Sequence, residues 1–337
     1  MEKEEKDKPL VSVCVFTFNS TSTIVETLDS IYNQTYENIE LIISDDCSKD
    51  NTIEVCQGWL STHSSRFRDT RIVTVEKNTG TNANVNRGYR AANGVWVKPF
   101  AGDDILKPNA IDVLVSYCIK NGCEVCISKV DFFGDDDRIA QKIISYDMFY
   151  ARYKDLSVKQ KYNLLLGTCV LPTPSMILSK RLIEELGYLD ESLRVYEEWP
   201  WLLKILEYGY DIPYIEDKLI LYRCVNGSLS STVFDKNNTS QLYQSARYKI
   251  FEDAMKFYKE YRKPRLLKQF RFFAIWKQDT AFEILRLKNM PQRSLFQKIR
   301  LGFVRVVSPG TYVNAFMFFK TAPQGILVKK IKEFLRF

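Results

Sequence analysis

The segment that most constrains the fold is an apolar run that ends on two adjacent acids, at residues 96–108 (WVKPFAGDDILKP). It predicts a strand that ends at Gly102, followed by a helix that opens with Pro108. Open α/β sheets bind ligands at the carboxyl ends of strands, so Asp103 and Asp104 would face a crevice. Two adjacent carboxylates are stabilised by a cation, and a hard divalent ion with phosphate ligands suits them. The alternative is a solvated turn that caps the helix.

Short apolar segments alternate with helical periodicity over the first 132 residues. The apolar, β-rich segments lie at residues 10–19, 39–44, 71–76, 96–100 and 125–132. This alternation predicts an α/β fold built from βαβ units with a mainly parallel sheet. Strands that are apolar throughout indicate a sheet covered on both faces. The remaining predicted elements are an irregular or helical insert at 141–170, a strand at 174–179 and a strand within 211–223.

Residue types exclude several kinds of site. The only histidine is His63, which strongly disfavours histidine-based catalysis and multi-histidine metal sites. Cys123 and Cys126 form a lone CxxC without a second pair, which is weak evidence for zinc or redox chemistry. The first residues (MEKEEKDKP) are charged, and no stretch reaches about 18 apolar residues. We therefore expect neither a secretory signal nor a transmembrane helix. A cytoplasmic location is expected.

Charge is distributed unevenly along the chain. Residues 1–246 carry a net charge of −8, whereas residues from 247 onwards carry +15. A basic region on an acidic body indicates an anionic partner, a membrane or a nucleic acid. Basic amphipathic segments at 298–307, 315–320 and 326–337 favour a membrane interface. The alternative is a helical subdomain packed on the rest of the chain. Nucleic acid is disfavoured because no nucleic-acid-binding motif accompanies the charge.

Six segments, in this order and spacing, resemble glycosyltransferase family 2. They are VSVCVFTFN, IELIISDDCSKDNT, NTGTNANVNRG, GVWVKPFAGDDILKP, GYLDESLRVYEEWPWLLKI and YRCVNGSLS. The resemblance implies the GT-A nucleotide-sugar-binding fold, a Rossmann-like, mainly parallel sheet flanked by helices. The expected organisation is a charged tail at 1–9, a GT-A catalytic domain at 10–240 and a basic amphipathic helical region at 241–337.

The resemblance also implies a nucleotide site. Phe16, Thr17 and Phe18 would cradle the base, with one of the two phenylalanines packed in the core instead. Asp46 would accept a hydrogen bond from the uracil N–H, unless it only caps the next helix. Asn86 matches the nucleotide-facing Asn/Gly segment, although the arginine that often precedes it in the family is Val85 here.

The acidic pair at the end of the fourth strand matches the metal-binding motif of the family. Asp104 would be the ligand of Mn²⁺ or Mg²⁺, and Asp103 would position ribose or a water bound near the ion. Many members have a further aspartate where this chain has Ala101, so the ion would rely on Asp104 and the donor phosphates. Metal binding should therefore be weak without nucleotide. Arg223 would approach the diphosphate, and the alternative is that it forms a surface ion pair. The histidine that the family usually has two positions later is Val225 here.

The pair Glu197 and Glu198 matches the Glu-Asp pair that holds the catalytic base of the family. Glu198 would therefore deprotonate the acceptor hydroxyl. The helix N-terminus that carries this pair would stabilise the ionised carboxylate. The alternative is that both acids only interact with the helix dipole and take no part in chemistry.

The resemblance implies a metal-dependent, inverting enzyme of hexosyltransferase type. It would move a sugar from a UDP-sugar to a hydroxyl of a lipid-linked, polyprenyl-diphosphate saccharide, in O-antigen or capsule polysaccharide biosynthesis. It would lie peripherally at the inner face of the plasma membrane. One alternative is a sugar-nucleotide nucleotidyltransferase, although residues 10–25 lack the Gly-rich triphosphate loop that such enzymes carry. The other is a non-catalytic binding scaffold on a degenerate transferase fold.

Overall fold

The computed structural model of the protein describes residues 8–137, 139–167, 169–193, 197–225, 252–269, 275 and 278–279. The chain divides into two compact units, Met1–Phe257 and Tyr258–Phe337. The division falls after Phe257, whereas the sequence predicted a boundary after residue 240. Among the described residues, no helix combines the length and the apolar content needed to cross a membrane.

The first unit is built on one mixed sheet of eight strands, in the order β3-β2-β1-β4-β7-β6-β8-β5. The strands are β1 (Val11–Thr17), β2 (Ile39–Asp45), β3 (Thr70–Val73), β4 (Trp96–Ala101), β5 (Ile105–Leu106), β6 (Val125–Gly134), β7 (Met176–Ser179) and β8 (Tyr214–Cys224). The first four form a parallel block. β7 is antiparallel to β4 and β6, while β6 and β8 are parallel. This architecture confirms the predicted α/β class with a mainly parallel sheet.

Helices cover this sheet. They are α1 (Ile24–Tyr32), α2 (Thr52–His63), α3 (Thr81–Ala91), α4 (Ala110–Asn121), α5 (Ile139–Tyr153), α6 (Val158–Leu165), α7 (Lys180–Leu186) and α8 (Glu198–Glu207). The predicted insert at 141–170 contains α5 and α6. α1 shows why these helices form: Ile24, Leu28 and Ile31 recur on one face and are fully buried against the sheet.

A buried carboxylate joins the parallel strands at the edge opposite their carboxyl ends. Glu40 of β2 is 1% exposed and accepts a hydrogen bond from the Ser12 hydroxyl of β1. It also accepts one from the Gly94 N–H at 3.0 Å and pairs with Arg71 at 3.1 Å. These partners offset the cost of burying the charge. They also bring the backbone of Gly94 close to β1.

The second unit contributes few described residues. A π-helical turn covers Tyr258–Arg262, and α9 covers Lys263–Lys268. The Tyr258 hydroxyl donates to the Ile275 carbonyl at 3.2 Å, and Lys263 pairs with Asp279 at 2.8 Å. The predicted membrane-binding segments at 298–307, 315–320 and 326–337 lie outside the described residues, so their role stays a prediction.

The close approach at Gly94 yields a stability prediction. A Cβ atom there would lie 2.6 Å from the backbone nitrogen of Ser12 and 2.8 Å from the Leu10 carbonyl oxygen. Gly94→Ala should therefore lower the free energy of unfolding by about 1–3 kcal/mol, because backbone atoms cannot move aside. Urea denaturation measures this. Gly58→Ala is the matched control: Gly58 lies within α2 with nothing inside 4 Å, so alanine should stabilise by about 0.5–1 kcal/mol. Equal effects at both positions would contradict the packing described.

Candidate active site

Three neighbouring parallel strands end together at one edge of the sheet. The register pairs Thr17 of β1 with Asp45 of β2, and Phe16 of β1 with Ala101 of β4. Asp46 after β2 and the acidic turn after β4 therefore lie on opposite sides of the end of β1. The Thr17 hydroxyl donates to Asp45 at 2.9 Å, and Asp45 also accepts from the Ser48 N–H at 2.8 Å. Thr17 and Asp45 thus fix the geometry of this edge.

Asp46 anchors the loop that leads into α3. The residue is 2% exposed. Its carboxylate accepts hydrogen bonds from the Thr79 N–H at 2.9 Å, the Gly80 N–H at 2.8 Å and the Arg87 guanidinium at 3.2 Å. Both oxygens are therefore engaged by the protein. The predicted contact with a uracil N–H would have to share these oxygens, and it stays a prediction.

The two phenylalanines of the first motif have different environments. Phe16 packs against Gly88, where a Cβ would lie 2.7 Å from the ring, and its ring meets Tyr89 edge-on at 6.1 Å. Phe18 is 48% exposed. Phe16 is thus the inward-packed ring of the two and Phe18 the exposed one. Stacking of Phe18 on a base stays a prediction.

Asn86 joins α3 to the segment after α7. Its amide oxygen accepts from the Leu189 N–H at 2.9 Å, and its amide nitrogen donates to the Leu189 carbonyl and to Glu191, both at 2.9 Å. The residue is 1% exposed. These bonds give Asn86 a structural role here, and nucleotide contact stays a prediction.

The turn after β4 carries Asp103 and Asp104. Asp104 is 1% exposed; one of its oxygens accepts from the Arg223 N–H at 2.8 Å, and the other is buried with no hydrogen-bond partner among the described residues. Asp103 is partly exposed. Burial raises the pKa of both carboxyls, and Asp103 raises that of Asp104 further. Lys98 and Arg223 oppose the increase at Asp104.

Arg223 locks this acidic turn. Besides the bond from its N–H to Asp104, its Nε donates to the Asp103 carbonyl at 2.6 Å. Its guanidinium pairs with Glu26 and lies 4.4 Å from the centroid of the Phe133 ring. The ion-pair alternative therefore describes Arg223 in this structure, and contact with a diphosphate stays a prediction.

The acidic turn fits a hard divalent cation. Asp104 has a carboxylate oxygen without a partner among the described residues, and the partly exposed Asp103 carboxylate lies next to it. Oxygen ligands suit Mg²⁺ and Mn²⁺. No group of three or more His, Cys, Asp or Glu in the described part of the chain could hold a metal. Phosphate oxygens of a second molecule would suit the remaining ligand positions of a cation here.

Glu197 and Glu198 lie at the start of α8. Glu198 is the first residue of the helix, and Glu197 accepts a hydrogen bond from the Thr173 hydroxyl at 2.8 Å. Burial, reinforced by the charge of Glu197, raises the pKa of Glu198 to about 8. The backbone hydrogen bond at the start of α8 lowers the pKa of Glu198, as expected of a helix N-terminus, but burial outweighs it and the net shift is upward.

One tyrosine of the insert lies near both acid pairs. Burial raises the pKa of Tyr146, and the charges of Glu198 and Asp104 both raise it further. The Tyr146 ring also meets Phe132 of β6 at 4.8 Å. Asp104 of the acidic turn and Glu198 at the start of α8 therefore both lie within electrostatic range of Tyr146 on α5.

Sequence reasoning missed several residues of this region. Arg87, Thr173 and Tyr146 carry no signal of their own, because their partners are distant in the chain. Lys98 did carry a signal: it is a charged residue within the apolar strand β4, and it is fully buried. Buried lysines are rare, so such a position points to a specific partner.

Comparisons with known proteins agree with this architecture. Glycosyltransferase GlyG of Streptococcus pneumoniae serotype 4 is 28% identical over 235 residues, which cover 67% of this chain and 74% of GlyG. The putative teichuronic acid biosynthesis glycosyltransferase TuaG of Bacillus subtilis is 25% identical over 227 residues, covering 66% of this chain and 82% of TuaG.

A solved structure shares the fold. The crystal structure of S. aureus TarS 1–349 in complex with UDP matches with a TM-score of 0.52 and 16% identity, covering 84% of this chain and 81% of that chain. The family model "Glycosyl transferase family 2" matches residues 12–187, which hold β1 to β7 and the acidic turn. With the sheet and the acids placed as described, the chain belongs to glycosyltransferase family 2 and has the GT-A fold.

Proposed function

We propose that this protein is an inverting glycosyltransferase that moves a sugar from a UDP-sugar to a hydroxyl of a saccharide acceptor in cell-surface polysaccharide biosynthesis. The observation that carries the proposal is the placement of two acid pairs around one region. Tyr146 lies within electrostatic reach of both Asp104 and Glu198. An in-line displacement needs a donor-side group and an acceptor-side group held near each other.

Relatives support the donor class. TarS has been crystallised with UDP and with UDP-GlcNAc. In this chain the exposed Phe18 directly follows β1, and the last residue of β1, Thr17, accepts a hydrogen bond from the Asp46 N–H at 3.1 Å. We assign the base to Phe18 and the ribose to Asp103, which is the partly exposed acid of the turn.

The chemistry divides between the two acid pairs. Ionised Glu198 takes the proton of the acceptor hydroxyl, whose oxygen attacks the anomeric carbon from the face opposite the diphosphate. The bond from that carbon to the diphosphate oxygen breaks, which inverts the configuration. Asp104 and Asp103 would hold a divalent cation, Mn²⁺ or Mg²⁺, which supplies Lewis-acid stabilisation of the leaving diphosphate.

The acceptor proposal rests on relatives and charge. TuaG is named for teichuronic acid biosynthesis, a surface polysaccharide. The net charge of +15 from residue 247 onwards suits an anionic membrane surface. Together they support a polyprenyl-diphosphate-linked acceptor and peripheral association with the inner face of the plasma membrane.

The role of Glu198 is tested by Glu198→Gln. We expect UDP release from UDP-sugars to fall by about 10²–10⁴-fold, because no base remains to take the hydroxyl proton. We also expect a higher Tm at pH 8. The pKa of Glu198 in the folded protein, about 8, is above the ordinary value of a glutamate. The folded protein therefore loses stability as pH rises from that ordinary value to about 8, and glutamine, which does not ionise, avoids this loss.

The matched control for this test is Glu184→Gln, which changes an exposed glutamate on α7. It should alter neither turnover nor Tm. If Glu198→Gln kept wild-type turnover, Glu198 would not be the base.

The cation site is tested by Asp104→Asn, which keeps the oxygen that accepts from Arg223. In the wild type, Mn²⁺ should tighten UDP binding at least tenfold and bind weakly alone, since the protein offers few ligands. In Asp104→Asn, Mn²⁺ should no longer tighten UDP binding, whereas the affinity for UDP without Mn²⁺ should be unchanged. Thermal shift and calorimetry measure both quantities. Asp112→Asn, at the partly exposed Lys8 pair, is the control. An unchanged Mn²⁺ effect in Asp104→Asn would contradict the assignment.

A further inference from the structure

Lys98 is a fully buried lysine in β4, the strand that leads to the acidic turn. It is 0% exposed, and its ring neighbour Phe100 lies 5.0 Å from its ammonium group. The ammonium donates to the Pro174 carbonyl, and to the Pro99 carbonyl at 3.1 Å. Burial lowers the pKa of Lys98 to about 7, and the charge of Asp104 opposes that decrease. A lysine in this position is costly, so its contacts call for an explanation.

The contact with Pro174 leads directly to the acceptor-side acids. Pro174 is the middle residue of the 3₁₀ turn Thr173–Ser175, which precedes β7. Ser175 closes that turn by donating to the Pro172 carbonyl from its N–H at 3.0 Å and from its hydroxyl at 2.7 Å. The neighbouring Thr173 donates its hydroxyl to Glu197 at 2.8 Å. A continuous set of bonded groups therefore runs from Lys98 through this turn to Glu197.

We propose that Lys98 is a positioning residue for the acceptor-side acids: its ammonium group holds the 173–175 turn so that Thr173 fixes Glu197 beside the base Glu198. The proposal rests on the proposed function, because it gives Glu198 its catalytic role. The charge of Asp104 also acts on this ammonium group and raises the pKa of Lys98. Without the ammonium group, the buried Pro174 carbonyl would lose its partner, and the turn would be free to shift.

A second buried lysine supplies a matched control. Lys161 of α6 is 2% exposed and lies 5.0 Å from the Tyr153 ring centroid. It donates to Asp211 at 2.7 Å and to the Ile212 carbonyl at 3.2 Å. Lys161 thus matches Lys98 in burial, in its bond to a backbone carbonyl and in its aromatic neighbour, but its bonds lead to the start of β8 and not to the acids.

The experiment compares Lys98→Met, Lys161→Met, Thr173→Val and the double variant Lys98→Met/Thr173→Val in the full chain. UDP release from UDP-GlcNAc gives kcat and donor KM, and urea midpoints give stability. Both lysine variants should lose stability. Lys98→Met should lower kcat at least tenfold with donor KM changed less than threefold, whereas Lys161→Met should keep both within twofold. The double variant should have the kcat of Lys98→Met alone, because both changes break the same connection.

The outcomes separate this proposal from the proposed function. If Lys98→Met kept kcat as Lys161→Met does, or if its effect multiplied with that of Thr173→Val, the positioning role would be wrong. If the wild type released no UDP from UDP-GlcNAc, that sugar nucleotide would not be the donor, and the urea midpoints would still decide on the role of Lys98. Non-additive losses of stability for Lys98→Met and Thr173→Val support the connection, and additive losses overturn it.

Discussion

The hydrogen bond from the Arg223 N–H to the Asp104 carboxylate is the contact on which the rest of the site depends. After β4 the chain leaves the middle of the sheet, makes the acidic turn and adds β5 to the far edge, where Ile105 pairs with Leu221 of β8. The bond from the Arg223 N–H to Asp104 attaches the turn between β4 and β5 to β8. Asp104 and Glu198 of the two acid pairs both act on the pKa of Tyr146.

The acids of the site are arranged against their electrostatic preference. Burial raises the pKa of Asp103, Asp104, Glu197 and Glu198. The groups that counter this effect include Arg223 and Lys98 at the first pair and the Thr173 hydroxyl at the second. A cation bound at Asp103 and Asp104, and a hydroxyl bound at Glu197 and Glu198, would stabilise the ionised carboxylates. Raised pKa values of this kind are expected of functional carboxylates.

Much of the fold could be predicted because its signals are local. Apolar strands, helix periodicity and turn residues gave the α/β class, β1 to β4 and the acidic turn. β5 has two residues, too short for any pattern, and its place at the edge depends on β8, more than a hundred residues later. The family assignment also removes the nucleotidyltransferase alternative, because the matched model is that of a glycosyl transferase.

The contacts within the site could not be predicted in the same way. The partners of Asp46 and Lys98 are set by how loops pack, since Arg87 lies 41 residues and Pro174 lies 76 residues away in the chain. Helix position alone suggested an easily ionised Glu198, whereas desolvation depends on the surrounding insert. Side-chain exposure likewise separated Phe18 from Phe16, and Asp103 from Asp104.

The most direct test of the central claim is the pH dependence of kcat/KM for UDP release from a UDP-sugar, in the wild type and in Glu198→Gln. The base must be ionised, and its pKa in the free enzyme is about 8. The wild-type rate should rise with pH and level off above about 8, and the residual rate of Glu198→Gln should lack that rise. A flat wild-type profile between pH 6 and 9, or the same rise in both proteins, would contradict the account.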